Sequence, residues 1–159
     1  MLYTVLIAVL VVLDQVVKYL VRANIQEGQI IELIPGLMGL TYVENTGAAF
    51  SILSEHTWLL TLVSAVVSVI LAVALAKNTF RHPFGKLTLS LILAGAVGNL
   101  IDRALMGYVT DMFKTLFMNF AVFNVADICV VCGAIALCVY VLFFYDKLEK
   151  IDGTDSAQS

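Results

Sequence analysis

Charged residues are scarce in this chain, and their scarcity argues against a soluble fold. Only 13% of the 159 residues are Asp, Glu, Lys or Arg, and 61% are hydrophobic, whereas a soluble domain carries about 25% charged residues. The mean hydropathy is +0.98. An integral membrane protein is therefore predicted.

Several sequence signals of metal-dependent or serine-based catalysis are also missing. The chain contains no HExxH zinc motif, no glycine-rich phosphate loop and no GxSxG nucleophile elbow. Cys129 and Cys132 have a CxxC spacing, but their neighbours are apolar, whereas a zinc or redox site requires further ligands or a polar setting. We interpret these two residues and Cys138 as buried packing cysteines, and we expect neither a metal nor another cofactor.

Four apolar runs are each long enough to cross a membrane, which takes about 20 residues. The runs are residues 2–21, 56–76, 87–105 and 126–145. Because the connections are short, they predict an all-α membrane protein with four transmembrane helices in one domain, residues 1–150. The acidic residues 151–159 are predicted to form a disordered cytoplasmic tail. The first run lacks a basic start and a clean cleavage site, so we interpret it as a retained helix and not as a signal peptide.

Basic residues are distributed unevenly among the connections. The second connection, 77–86, holds three of them and the chain end holds two, whereas 23–55 holds none and 106–125 holds one. Cytoplasmic loops carry an excess of Lys and Arg. Both termini are therefore predicted to be cytoplasmic, with the first and third connections outside.

The first connection has a pattern of its own. Residues 29–42 alternate in polarity and contain the turn dipeptide Pro35-Gly36, which predicts a short hairpin on the outer membrane surface. The next stretch, 45–50, contains Gly47 followed by two alanines, and small residues favour close backbone approach. This stretch is predicted to pack against a helix, with contact to an extended substrate as the alternative.

Two ionisable side chains interrupt the first apolar run. A charge at bilayer depth costs about 2.5–3.5 kcal/mol even on the mildest insertion scale, and it is kept when it is paired and usually when it serves a function. Asp14 and Lys18 are spaced i, i+4 with the acid first, so they share a helix face and can form an ion pair. We interpret this pair as a structural element that fixes the first helix against its neighbours.

The third apolar run carries a polar stripe beside two glycines. Asn99, Asp102 and Arg103 are spaced i, i+3 and i+4 and lie on one side of a helix. Gly95 and Gly98 allow a neighbouring helix to approach closely. We predict a structural hydrogen-bond network near the outer interface, with partners for Asp102 and Arg103 in a loop or another helix.

Two further aspartates border the third connection. Asp111 follows the third run and Asp127 opens the fourth, where Asn124 is a candidate N-cap that would make Asp127 the third helical residue. A helix N-terminus stabilises a carboxylate at that position. Two carboxylates held close share a proton, so that one activates water and the other donates a proton. Aspartyl hydrolysis is one use of such a pair.

Other uses of these acids remain open on the residues alone. A metal site would employ the same carboxylates, although neither motif contains a histidine. A transporter or proton relay would require a polar path to the cytoplasmic side, and a metal-dependent phospholipid transferase would require acidic ligands clustered on adjacent helical turns. The chain shows neither pattern.

Five motifs together resemble one family, the lipoprotein signal peptidases of bacteria, or signal peptidase II. They occur in the family's order and approximate spacing over nearly the whole chain. The motifs are residues 14–18 (DQVVK), 45–50 (NTGAAF), 98–103 (GNLIDR), 109–111 (VTD) and 123–127 (FNVAD). The residues flanking Asp111 depart from the family, which often has an aliphatic residue before and Phe after this aspartate; here they are Thr110 and Met112.

The resemblance implies a site and a reaction. Asp111 and Asp127 match the family's catalytic aspartates. Its supporting polar residues are matched by Asp14, Lys18, Asn45, Gly47, Asn99, Asp102, Arg103 and Asn124. The implied enzyme is a membrane aspartic endopeptidase that removes the signal peptide from prolipoproteins, cutting before a diacylglyceryl-modified cysteine.

The resemblance also implies surroundings and partners. The family has a small extracytoplasmic β-sheet cradle on its four helices and an active site at the outer face of the bacterial cytoplasmic membrane. The implied partners are the prolipoprotein substrate, membrane lipids and globomycin-type inhibitors. We expect a monomer and no nucleic-acid partner.

Overall fold

The structure, a computed structural model, describes residues 1–47 and 57–145. Two sequence-based predictions lie outside these residues. One is the disordered acidic tail, 151–159. The other is the close packing or substrate contact expected for Ala48 and Ala49.

Within the described residues, four helices are long and apolar enough to cross a membrane. They are α1 (Leu2–Asn24), α2 (Thr57–Ala76), α3 (Pro83–Met106) and α4 (Val125–Val139), which a π-helical turn extends over Tyr140–Phe144. The prediction of four spans is confirmed. α3 starts earlier than the apolar pattern indicates because Pro83 occupies its first turn and the His82 side chain accepts the backbone N–H of Phe84.

α3 packs against each of the other three helices. Two glycines allow the close approach. A Cβ at Gly95 would collide with the carbonyl oxygen of Ala126 in α4, and a Cβ at Gly98 would lie 2.7 Å from Asp14 Oδ2 in α1. The close packing predicted at both glycines is confirmed, and it brings the polar residues of α1, α3 and α4 together.

A three-stranded antiparallel sheet covers one end of the bundle, in the order β1-β2-β3. The strands are β1 (Ile30–Ile34), β2 (Met38–Asn45) and β3 (Val109–Thr115). The pairing of β1 with β2 confirms the hairpin predicted for residues 29–42. The sheet is joined to the helices by a buried apolar cluster of Val21, Ile25 and Met112.

The third strand differs from expectation. The sequence places Asp111 at the border of the third connection, but Asp111 lies within β3. Phe123, in the segment between β3 and α4, pairs with this strand through two backbone hydrogen bonds with Phe113. α3 ends at Gly107 with φ +81°, and this left-handed residue directs the chain straight into β3. Asp111 is therefore carried by a hydrogen-bonded strand.

The interpretation of all three cysteines as buried packing residues is wrong for two of them. Cys129 is buried, but Cys132 and Cys138 are exposed. An apolar sequence does not show which face of a membrane helix meets other helices and which meets lipid. The buried residues of α4 are Ala126, Cys129 and Gly133, and Cys132 and Cys138 lie off this packed face.

Candidate active site

The predicted site residues converge at the end of the bundle that the sheet covers. α1 supplies Asp14 and Lys18, β2 ends at Asn45, α3 supplies the polar stripe, β3 carries Asp111, and α4 begins beside Asn124. Backbone atoms of Gly47 complete the set. The sequence motifs are far apart along the chain, and the close packing around α3 explains how they meet.

Asp111 is only 2% exposed and is held by two side-chain amides. Asn124 Nδ2 donates to its Oδ1 over 2.6 Å, and Asn45 Nδ2 donates to its Oδ2 over 2.9 Å. The β2–β3 register places Asn45 opposite Val109, two residues from Asp111, and residues two apart on a strand share a face. Burial raises the pKa of Asp111 to about 6, with a further contribution from the charge of Asp127, while the two amide hydrogen bonds oppose the rise.

Asp127 is the third residue of α4 and forms a capping box with Asn124. Its backbone N–H donates to Asn124 Oδ1 over 2.9 Å, and its Oδ2 accepts the Asn124 backbone N–H over 3.1 Å. Its Oδ1 accepts Asn99 Nδ2 over 2.7 Å. The predicted N-cap is confirmed, and the carboxylate lies at the positive end of the helix dipole.

Asn124 connects the two aspartates directly. Its side-chain amide donates to Asp111 while its side-chain oxygen and backbone N–H bind Asp127. Asn124 is fully buried. The start of α4 is thereby fixed relative to β3, and with it the relative position of the two carboxyl groups.

A buried ion cluster lies beneath the aspartates. Lys18 Nζ lies 2.9 Å from Asp14 Oδ2 and 3.1 Å from Asp102 Oδ2, and it donates to Asn99 Oδ1 over 2.9 Å. Asp14 Oδ1 also accepts the backbone N–H of Ala126 at the start of α4. The predicted Asp14–Lys18 pair is confirmed, with Asp102 as a second acid on the same ammonium.

Gln15 belongs to this cluster, although it was not among the predicted site residues. Its Nε2 donates to Asp14 Oδ2 over 3.2 Å, to the Gly98 carbonyl over 3.1 Å and to Asp102 Oδ1 over 3.0 Å. The signal for it was available, because an amide in the middle of an apolar span requires polar partners as a charge does.

The residues of the polar stripe on α3 have partners in another helix and in a connection, as predicted, and Asp102 has a further partner in β3 that was not predicted. Asp102 Oδ2 accepts the backbone N–H of Thr110 over 3.0 Å. Arg103 Nη2 donates to the carbonyl of Gly47 over 3.2 Å, and the N–H of Gly47 donates to Asn45 Oδ1 over 2.9 Å. α3 therefore fixes both the start of β3 and the end of the first connection.

The residues on either side of Asp111 fill the space between the sheet and α1. Met112 is fully buried against Val21 and Ile25. Thr110 is also fully buried, and its hydroxyl accepts Arg22 Nη1 over 2.7 Å. The departure from the family pattern at these two positions thus coincides with well-packed, hydrogen-bonded side chains.

Both aspartates line a cavity of about 520 Å³. One end of the cavity is polar, and the rest is formed by apolar residues of α4 and of the segment that precedes it. The lining residues are Asn45, Asn99, Arg103, Val109, Asp111, Phe120, Ala121, Val122, Phe123, Asp127, Ile128, Val130, Val131 and Cys132. Ile128 and Val131 are also exposed at the surface, so the cavity reaches the exposed side of α4.

The hydrogen bonds leave each carboxyl group able to react. An ionised carboxylate offers about four lone-pair sites, and each oxygen of Asp111 and Asp127 accepts one protein hydrogen bond. The remaining sites are available to a water molecule and a substrate in the cavity. Within residues 1–47 and 57–145, no group of three His, Cys, Asp or Glu side chains is arranged to hold a metal ion.

Known proteins share both the sequence and the fold. The family model for signal peptidase (SPase) II matches residues 6–143. The lipoprotein signal peptidase of Enterococcus faecalis is 44% identical over 95% of this chain and 92% of its own length. The lipoprotein signal peptidase of Clostridioides difficile is 42% identical, over 92% and 99%. A bacterial membrane enzyme solved by the in meso method at 2.3 Å resolution is similar, with a TM-score of 0.83 and 31% identity over 88% of this chain and 87% of that one.

Proposed function

We propose that this chain, which belongs to the signal peptidase II family, is an aspartic endopeptidase that cleaves prolipoproteins just before a diacylglyceryl-modified cysteine. Membership makes it a multi-pass membrane enzyme that processes lipoproteins. One observation supports the catalytic type above all. Asp111 and Asp127 line one cavity, and Asn124 binds both of them.

The environments of the two carboxyl groups support different roles. The raised pKa of Asp111, about 6, makes it the member that holds the shared proton. Asp127 lies at the positive end of the α4 helix dipole and accepts two hydrogen bonds. We assign the general acid to Asp111 and the general base to Asp127.

The reaction follows from this assignment. Asp127 accepts a proton from water as the water oxygen attacks the carbonyl carbon before the modified cysteine, and Asp111 donates its proton to the carbonyl oxygen. When the tetrahedral intermediate collapses, the C–N bond breaks and Asp127 protonates the leaving amine. The hydroxyl formed on the former carbonyl oxygen returns its proton to Asp111, and the pair is restored.

The shape of the cavity fits a lipid-anchored peptide. Its polar end holds the aspartates, and its apolar wall along α4 reaches lipid-facing residues. The acyl chains of the substrate can therefore stay in the membrane while the peptide bond reaches the carboxyl groups. On this proposal the enzyme works as a monomer, and globomycin-type inhibitors bind in the same cavity.

The test of this function is cleavage by the purified full-length protein. We expect it to cut a diacylglyceryl-modified prolipoprotein before the modified cysteine, and to leave the unmodified form of the same precursor intact, because only the modified form is held at the depth of the cavity. Mass spectrometry of the products gives the cleavage position. Equal cleavage of both forms, or a cut elsewhere, would contradict the proposed specificity.

The distribution of basic residues supports an orientation with both termini in the cytoplasm and the aspartates at the outer face. In a variant whose three native cysteines are replaced by alanine, Gln29→Cys in the first connection should react with a membrane-impermeant maleimide in intact cells. Thr79→Cys in the second should react only after the cells are lysed. Both positions are exposed. The reverse labelling pattern would place the site at the cytoplasmic face.

A further inference from the structure

Lys18 is fully buried, and its ammonium group acts only as a hydrogen-bond donor. Its ammonium group faces Asp14 Oδ2, Asp102 Oδ2 and Asn99 Oδ1. An ammonium group has three donors and no acceptor. Asn99 can therefore present only its amide oxygen to Lys18, and only its NH₂ group is left for the opposite side.

The orientation that Lys18 imposes on Asn99 determines the hydrogen bonds that Asn99 and Asn124 make to the aspartates. Asn99 Nδ2 donates to Asp127 Oδ1 over 2.7 Å. Asn99 Oδ1 also accepts Asn124 Nδ2 over 3.1 Å, and the second hydrogen of that NH₂ group binds Asp111 Oδ1. If Asn99 were rotated by 180°, its NH₂ group would face Lys18 and the Asn124 NH₂ group, with no acceptor between them. Both amides are consequently locked with their donors toward the carboxyl groups.

We propose that Lys18 is a positioning residue that keeps a hydrogen-bond donor on Asp127 by fixing the orientation of Asn99. The donor holds the Asp127 carboxyl group in place for the reaction, and a donor polarised by a neighbouring ammonium binds it more strongly. This inference rests on the proposed function, because it assigns Lys18 a role in preparing the general base of that reaction.

Other charged groups surround Asp127 and have to be kept constant in a test. Arg103 acts on it from α3 and Asp111 from β3, and the ion cluster on α1 and α3 lies behind Asn99. A change at Asn99 that preserves its size alters none of these side chains. Such a change acts on Asp127 through the hydrogen bond from residue 99 and through the charge of the new side chain, with the surrounding charged side chains left in place.

The decisive variant is Asn99→Asp. The new carboxyl group keeps the size of Asn99 and gives Lys18 a charged acceptor, but it turns an oxygen toward Asp127 Oδ1 where a donor stood. A proton must then be held between the two carboxyl groups, and Asp127 is no longer a free base. We expect kcat at neutral pH to fall about 100-fold or more, with the unfolding temperature and KM for the lipidated substrate nearly unchanged. A purely structural network predicts near-normal kcat, because Lys18 would gain an ion pair, and that result would overturn the proposal.

The second variant removes Lys18 without leaving buried charge. In the triple variant Lys18→Met, Asp14→Asn and Asp102→Asn, nothing charged holds the orientation of Asn99. We expect kcat to fall while KM for the lipidated substrate stays near the wild-type value, because Asn99 is free to turn its donor away from Asp127. A wild-type kcat, in a protein that unfolds at a similar temperature, would also overturn the role of Lys18.

Two further measurements separate this inference from the proposed function. Asn24→Asp is the matched control, because Asn24 is exposed at the end of α1 and its amide donates to the Leu20 carbonyl outside the site; its kcat should equal that of the wild type. Asp127→Asn is measured in parallel. An active Asp127→Asn enzyme would refute the aspartate mechanism itself, whereas an inactive one beside a normal Asn99→Asp enzyme would refute only the role of Lys18.

Discussion

Replacing either Asp111 or Asp127 with asparagine is expected to lower the cleavage rate by about 10³-fold or more, since loss of an essential acid or base removes a contribution of this order. Asparagine keeps the shape of the side chain but offers one acceptor where aspartate offers two, so each variant loses one hydrogen bond to its amide or backbone donors. That loss costs about 1–3 kcal/mol, and the variants should still fold and bind lipidated precursor. Single-turnover cleavage and thermal unfolding together measure both effects.

The joint action of the two aspartates makes this prediction specific. The double variant should lose little more activity than either single variant, because residues that act as a unit are not additive. Since Asp111 donates as the acid, kcat/KM of the free enzyme should decline as the pH rises through about 6, the value to which burial raises its pKa. Activity should persist in chelators. Near-normal turnover in either single variant, or loss on chelation that a divalent ion restores, would refute the mechanism.

Those features of the fold that depend on local pattern could be predicted from the sequence. The lengths of the apolar runs predicted the four helices, and the alternation of polarity around Pro35-Gly36 predicted the hairpin. Gly95 and Gly98 predicted the close contacts between helices. β3 could not be predicted, because residues 109–115 pair with β2 across more than sixty positions of sequence. Its partner strand and the buried cluster around Met112 hold it extended, and neither is visible in the local pattern.

Most residues of the site could be predicted from the sequence, but many of the contacts between them could not. The capping box at Asn124 and the Asp14–Lys18 pair follow from spacing on one helix, and both are present. That Asp102 shares the ammonium of Lys18 depends on how α1 and α3 are rotated and how deeply they pack, which a sequence does not specify. The same holds for the contacts of Gln15, whose three acceptors come from two helices.

Loss of the buried ammonium should destabilise the protein more than loss of either acid it binds. Lys18→Met leaves Asp14 and Asp102 without their cation inside the bundle, and breaking a buried pair by removing one partner costs about 3–5 kcal/mol. Asp14→Ala should cost less, because Lys18 keeps Asp102 at 3.1 Å, although the Ala126 N–H loses its acceptor. Thermal unfolding in detergent and the yield of folded protein give the order of the two variants.

Neutralising the stranded acids tests whether uncompensated charge is the cause. Replacing buried ionic groups together with neutral residues is often close to neutral in stability, so Lys18→Met combined with Asp14→Asn and Asp102→Asn should recover much of the stability lost in Lys18→Met. If the triple variant were no more stable than the single one, lost packing of the Lys18 side chain, and not buried charge, would account for the damage. If Lys18→Met unfolded at the wild-type temperature, the ion cluster would not stabilise the bundle, and its geometry around Asn99 would have to serve the reaction alone.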